Sequence, residues 1–238
     1  MVQRDGGAFN CIGTRSIIEV QIARYGAQRM TDRPQLIYVH DPMCSWCWGF
    51  RPAFERLCAR LPAQIEVRWL LGGLARDSDQ PMPMEMQARL QETWRRIQQR
   101  IPGTYFNFAF WHDCQPRRST WPACRAVIAA RSLDASLQAP MVRAIQHAYY
   151  LEARNPSDNG ILIALAVQLG LPGDRFARLL DAAETRATLL AEIAHARELG
   201  ANSFPSLRLQ IGQSRWPVPV DYTDPDAMLA IIQTFLQT

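Results

Sequence analysis

Along the chain, strand-like and helix-like spacings of apolar residues alternate in blocks. "LIYVHD" (36–41) is a short β-branched and aromatic run that predicts a buried strand. Immediately after it, Phe50, Phe54, Leu57, Cys58 and Leu61 fall on one face of a 3.6-residue period and predict a helix. "IEVRWLLGG" (65–73) predicts a second strand ended by the Gly72-Gly73 turn, so the three segments form a βαβ unit with a parallel strand pair. From Pro81 to Gly200 the pattern is helical, with helices expected at 84–100, 121–134, 137–153, 158–169, 173–182 and 184–199. Ser157 or Asp158 reads as an N-cap, and Gly170 and Gly200 stand just past C-termini. "SLRLQIGQSRWPVPV" (206–220) returns to strand, with its turn near Gly212. A last helix is expected from Pro225 to Leu236, with Asp224 as N-cap and Pro225 at the first helical position.

This order predicts an α/β fold: two flanking parts of one sheet, at 34–80 and 184–238, with a helical domain inserted at 81–183. Residues 1–33 read as an N-terminal extension outside the fold, because Met30 opens "MTDRPQLIYVHD", a natural start for a domain whose first strand begins at Leu36. Within residues 1–29 the charges at Arg4, Asp5, Arg15, Glu19 and Arg24 leave no uninterrupted apolar segment of the kind a secretory signal needs. No run approaches the ~18 apolar residues of a membrane span. The expectation is cytoplasmic residence without membrane association, where thiols stay reduced and six cysteines serve as catalytic, metal-binding or packed thiols rather than a disulfide framework.

Composition removes several function classes. The formal charge of +4 is carried by 26 arginines and no lysine. That excludes lysine Schiff-base chemistry and the lysine of a phosphate-binding loop. The arginines occur at most as doublets, Arg95-Arg96 and Arg117-Arg118, so no nucleic-acid groove is expected.

The chemistry concentrates in "DPMCSWCWGF" (41–50), at the first strand-to-helix junction. A thiol at a helix N-terminus meets unpaired backbone N–H groups and the positive end of the helix dipole, which favours thiolate. Cys44 is therefore expected to be an exposed nucleophile, and Cys47, almost one turn further in, a more buried resolving thiol. Half of a metal site is the competing reading, with His112, Asp113, Cys114 or Cys124 as remote ligands, but no second CxxC or HxxxH accompanies it. His40 and Asp41 end the strand before the motif, and Asp41 is placed to move protons for Cys47, although a polar strand end is common without function. Cys58 reads as a packed core thiol, and Cys114 and Cys124 as structural, with Cys124 also near enough to a helix start to stand by the active site. The rings of "YFNFAFWH" (105–112), with Trp48 and Trp94, read mostly as core; Trp46 is the candidate for substrate contact.

"DPMCSWCWGF" after a strand resembles the active-site segment of thioredoxin-fold oxidoreductases of the DsbA family, more narrowly the FrnE-like predicted disulfide isomerases. Pro52 sits where thioredoxin-like active-site helices carry a kinking proline, the long helical insertion is a DsbA trait, "SFPSLRL" (203–209) resembles the cis-proline loop, and "RSTWPACRAVIAA" (118–130) resembles a FrnE-like segment. The resemblance implies a thioredoxin-like fold with an inserted helical domain over roughly residues 34–238, catalysis by Cys44 and Cys47, and a substrate wall formed by Phe204 and cis Pro205. It implies thiol-disulfide exchange with protein substrates and with glutathione, and no bound cofactor or metal. Ser45 and Trp46 replace the proline-histidine of strongly oxidising relatives. Since about 30 mV corresponds to ~1.4 kcal/mol for a two-electron couple, loss of that positive partner predicts a shift of tens of millivolts towards the reducing side. Two alternatives remain: a glutathione-dependent transferase or isomerase of the kappa and 2-hydroxychromene-2-carboxylate isomerase type, which does not need the second cysteine, and a non-catalytic peptide- or metal-binding module.

Overall fold

The structure, a computed structural model, describes residues 33–237. The expected extension and Cys11 lie, except for Arg33, outside the described residues.

Strand β1 (Gln35–His40) runs into helix α1 (Ser45–Cys58), which returns to β2 (Glu66–Leu71). The helices α2 (Met84–Arg100), α3 (Phe110–Asp113), α4 (Trp121–Leu133), α5 (Gln138–Tyr150), α6 (Asn159–Gln168), α7 (Gly173–Leu180) and α8 (Ala183–Glu198) follow. The hairpin β3 (Ser206–Ile211) and β4 (Ser214–Val218) and the helix α9 (Pro225–Leu236) complete the chain. The sheet order is β2-β1-β3-β4, with β1 parallel to β2 and antiparallel to β3, and β3 antiparallel to β4.

β1 reads as a continuous apolar run because both faces of the sheet are covered. Its even positions, Leu36 and Tyr38, pack with Phe50, Phe54 and Leu57 of α1 and with Met228 and Ile232 of α9. Its odd positions, Ile37 and Val39, pack on the opposite face with Leu70 and with Ala196 and Leu199 at the end of α8. The period-2 alternation of side chains thus feeds two separate cores from one strand. A third apolar cluster joins the inserted helices and includes Trp94, Ile97, Phe110, Tyr150 and Phe176. Most rings of the 105–112 run are spent there, since Phe106, Phe110 and Trp111 are buried, whereas Tyr105 is exposed.

Local chemistry explains the ends of these elements. Asp224 accepts from the Asp226 and Ala227 N–H groups and starts α9. Asp158 precedes α6 but makes no side-chain cap; its carboxylate pairs with Arg117 instead, so the tertiary ion pair wins over the local cap. The helix expected at 137–153 is shorter, 138–150, and is preceded by a 3-10 turn at Ala135–Leu137 whose Ser136 N–H is capped by Asp134. α3, a single turn, has no periodic signature of its own.

Candidate active site at the start of helix α1

Cys44 is the residue before the first turn of α1, with extended backbone (φ −82°, ψ 116°). A tight turn places it there: its N–H donates to the Asp41 carbonyl at 3.0 Å, and the Trp48 N–H donates to the Cys44 carbonyl at 3.0 Å. The helix has no acidic residue in its first turn and no side-chain cap at Cys44, so no carboxylate of α1 competes for the N–H groups of that end. Pro52 stands inside the helix, one turn beyond Cys47.

Opposite lies the loop before β3. The Phe204–Pro205 peptide is cis. The Cys44 thiol donates to the Phe204 carbonyl at 3.5 Å, joining residues 160 positions apart. Cys44 is less open than an exposed nucleophile, at 6 % exposure, but it is the outer thiol: Cys47 is fully enclosed at 0 %. Burial, together with hydrogen bonding and charge from Cys44, pushes the Cys47 thiol well up, and the Asp41 carboxylate adds to this. The Tyr38 hydroxyl interacts with Cys47 from the sheet side, and burial followed by the two cysteines holds that phenol well above its usual range.

Asp41 is fully buried, and its carboxylate is the centre of a network. It accepts from the Met43 N–H at 2.8 Å, the Leu74 N–H at 2.7 Å, the Thr120 hydroxyl at 2.7 Å and the Cys124 thiol at 3.5 Å. Burial raises its pKa, and these donors oppose the rise. Cys124, fully buried, is pushed well up by burial and then by Asp41, so it serves as a donor to the carboxylate rather than as a second nucleophile. Neither Thr120 nor Leu74 stands out in the sequence as a site residue, although Thr120 lies in the 118–130 segment. Cys114 sits elsewhere and donates to the Ala153 carbonyl at 3.0 Å. His40 is buried between Tyr38, stacked at 4.9 Å, and the edge of Trp69 at 5.1 Å. Neither ring nitrogen has a hydrogen-bond partner, and burial, helped by Arg131, holds the imidazole down at about 3.

Trp46, between the cysteines, is half-buried and forms an aromatic and cationic rim. Its ring centroid is 5.3 Å from that of Tyr222, and the guanidinium carbons of Arg96 and Arg100 lie 5.7 and 5.8 Å from it. Arg100 also stands over Tyr222 at 5.5 Å. Both arginines are exposed on α2, and among the described residues neither forms an ion pair. No group of three or more His, Cys, Asp or Glu side chains stands within reach of a common metal ion among the described residues.

Residues 35–218 match the model of the DSBA-like thioredoxin domain. The chain belongs to that family. The fold agrees: a putative protein disulfide isomerase from Nitrosomonas europaea is 30% identical with a TM-score of 0.76, covering 86% of this chain and 98% of its own. The cytosolic disulfide reductase DsbM from Pseudomonas aeruginosa is 28% identical with a TM-score of 0.70, covering 85% and 98%, and its structure with GSH is 29% identical with a TM-score of 0.68. A curated relative, the ClpXP adapter protein SpxH of Bacillus subtilis (strain 168), is 22% identical over 176 residues. This family member spans 58% of that relative's length. Among the described residues no helix is long and apolar enough to cross a membrane.

Proposed function

We propose that the protein is a cytoplasmic thiol-disulfide oxidoreductase working in the reducing direction, with Cys44 as attacking thiol, Cys47 as resolving thiol and glutathione as its small-thiol partner. The observation that carries this reading is the Cys44 thiol at the N-terminus of α1, 3.5 Å from the Phe204 carbonyl, with Cys47 enclosed behind it. An extended substrate running past Phe204 and Pro205 brings its disulfide to the outer sulfur first.

In the first step the Cys44 thiolate attacks one sulfur of a substrate disulfide; a Cys44–substrate bond forms, and the other substrate sulfur leaves and takes a proton. Cys47 then loses its proton and attacks the Cys44 sulfur, releasing the second substrate thiol and leaving a Cys44–Cys47 disulfide. Two glutathione molecules restore the dithiol and leave as glutathione disulfide. Asp41, a carboxyl whose pKa is raised beside a thiol whose pKa is raised further, is the group placed to hold the Cys47 proton. Trp46, Arg96 and Arg100 favour an anionic thiol such as glutathione, because two exposed guanidiniums stand over the ring between the cysteines and, among the described residues, only Arg100 also acts on a carboxylate, that of Asp221. Relatedness to a disulfide reductase solved with GSH supports the same partner.

The test is a redox titration of purified protein in glutathione buffers, read by alkylation of the pair, with insulin reduction as the activity. Cys44→Ser is expected to abolish reduction, and Cys47→Ser to accumulate a mixed disulfide on Cys44. A pair that never forms a disulfide at any glutathione ratio, or a Cys47 that alkylates faster than Cys44, overturns the assignment.

A further inference from the structure

Behind the redox pair, on the face of the sheet covered by α1 and α5, lies a cavity of about 330 Å³. Tyr38, Phe54, Val67, Trp69 and Val142 give it largely apolar and aromatic walls. Two polar side chains in its lining lack the partners their chemistry calls for. Gln146 is only 2 % exposed, and its Oε1 accepts no hydrogen bond. Arg51 has a buried Nε with no acceptor. The rest of its guanidinium meets the face of Trp48 at 4.4 Å and the His147 Nε2 at 3.5 Å, neither of them an anion. Arg51 forms no ion pair among the described residues; Glu55 and Arg143, which line the same cavity, act on its charge, but they pair with each other at 3.2 Å, so no carboxylate contacts Arg51 directly.

Most buried polar groups in native proteins are paired, and two orphans lining one largely apolar cavity call for a polar partner there. We propose that this cavity binds a small aromatic hydroxy acid. Its ring packs against the aromatic wall that Tyr38, Phe54 and Trp69 form together, its carboxylate answers the Arg51 guanidinium, and its hydroxyl donates to Gln146 Oε1. Each part of the assignment follows from one need. A guanidinium takes carboxylates through two parallel N–H donors. An amide oxygen without a partner needs a donor, which a carboxylate lacks. The volume stands at the small end of ligand cavities, which run from about 300 to 1,000 Å³, and suits a single ring with a short chain. The site is separate from the groove that receives disulfides, but Tyr38 belongs to both, lining the cavity and interacting with Cys47. An occupant therefore stands one side chain away from the resolving thiol.

Calorimetric titration of the full chain with 4-hydroxyphenylacetate tests this, with phenylacetate and 4-hydroxyphenylethanol as probes that each lack one polar group. The hydroxy acid is expected to bind about tenfold more tightly than either. Arg51→Met should erase the advantage over 4-hydroxyphenylethanol, and Gln146→Leu the advantage over phenylacetate. Val142→Phe should fill the cavity and abolish binding while leaving Cys44 alkylation unchanged; Ala139→Leu, on the same wall, serves if that variant does not fold. Cys44→Ser should bind the acid normally, so the result stands or falls independently of the redox assignment. Equal affinity for the three probes, no binding of any of them, or binding that survives both filled cavities overturns the proposal.

Discussion

The ring of Phe204 occupies the space that a side chain on Gly72 would need: a methyl group there would stand 2.0 Å from the Phe204 Cε1. The end of β2 and the loop before β3 thus meet at close quarters through the residue whose carbonyl accepts from Cys44. Gly72→Ala is expected to displace Phe204, lower stability by about 1 to 3 kcal/mol and slow disulfide exchange. Chemical denaturation and insulin reduction on one preparation check it. Unchanged activity would mean that Phe204 does not position the partner.

His40 makes the fold acid-sensitive. Its folded pKa of about 3 lies below the unfolded value of 6.5, so the unfolded chain binds the extra proton between those values and stability is lost as pH falls through that window. From about pH 7 to pH 4.5 this group alone is expected to remove roughly 2 to 3 kcal/mol. His40→Phe, which keeps the stack on Tyr38, should flatten that slope in urea melts. An equally steep slope in the variant would place the sensitivity elsewhere.

Asp41 acts in the opposite sense on stability and directly on Cys47. Its raised folded pKa favours the protonated carboxyl in the fold, so its contribution declines as pH rises above the ordinary carboxylate value. Asp41→Asn removes a negative charge that helps hold the Cys47 thiol up, so Cys47 should ionise at lower pH when alkylation is followed in a Cys44→Ser background. The same change leaves the Leu74 N–H or the Thr120 hydroxyl short of an acceptor and should cost about 1 to 3 kcal/mol. A Cys47 profile that does not move would remove Asp41 from the redox chemistry and leave it a structural hub.

The proposed role of Arg96 and Arg100 in small-thiol recognition can be separated from the chemistry at Cys44. Replacing both by Gln should raise the KM for glutathione about tenfold with little change in the alkylation rate of Cys44, and the effect should shrink as salt rises. If KM is unmoved while kcat falls, the arginines serve the fold of the rim and not the partner.

The sequence made the frame of this molecule readable because its signals are local. The β1 run, the Phe50-Phe54-Leu57 face and the Gly170 and Gly200 ends each declare themselves within a few residues, and the structure gives the two glycines φ of 83° and 68°. The Cys44–Cys47 pair was legible as a candidate for the same reason, whereas the Phe204-Pro205 dipeptide became one only through the resemblance of its loop to that of the DsbA family. What surrounds them was not, since Thr120, Tyr222, Arg96 and Gly72 reach the site only through tertiary packing that no spacing encodes. Asp41 shows the limit well. Its place beside the motif was visible, but its four donors come from three separate segments, and only their convergence makes it a buried hub.

Pro217 has a consequence for how this molecule meets others. It stands opposite Arg208 in the outermost strand, β4, within an intact ladder, so its ring nitrogen points away from β3 towards the open border of the sheet. At the far border, β2 carries the charged Glu66 and Arg68. Neither margin offers an uninterrupted row of donors on which a stray chain could template itself. Both margins of the sheet are thus guarded against pairing with an extended chain from outside.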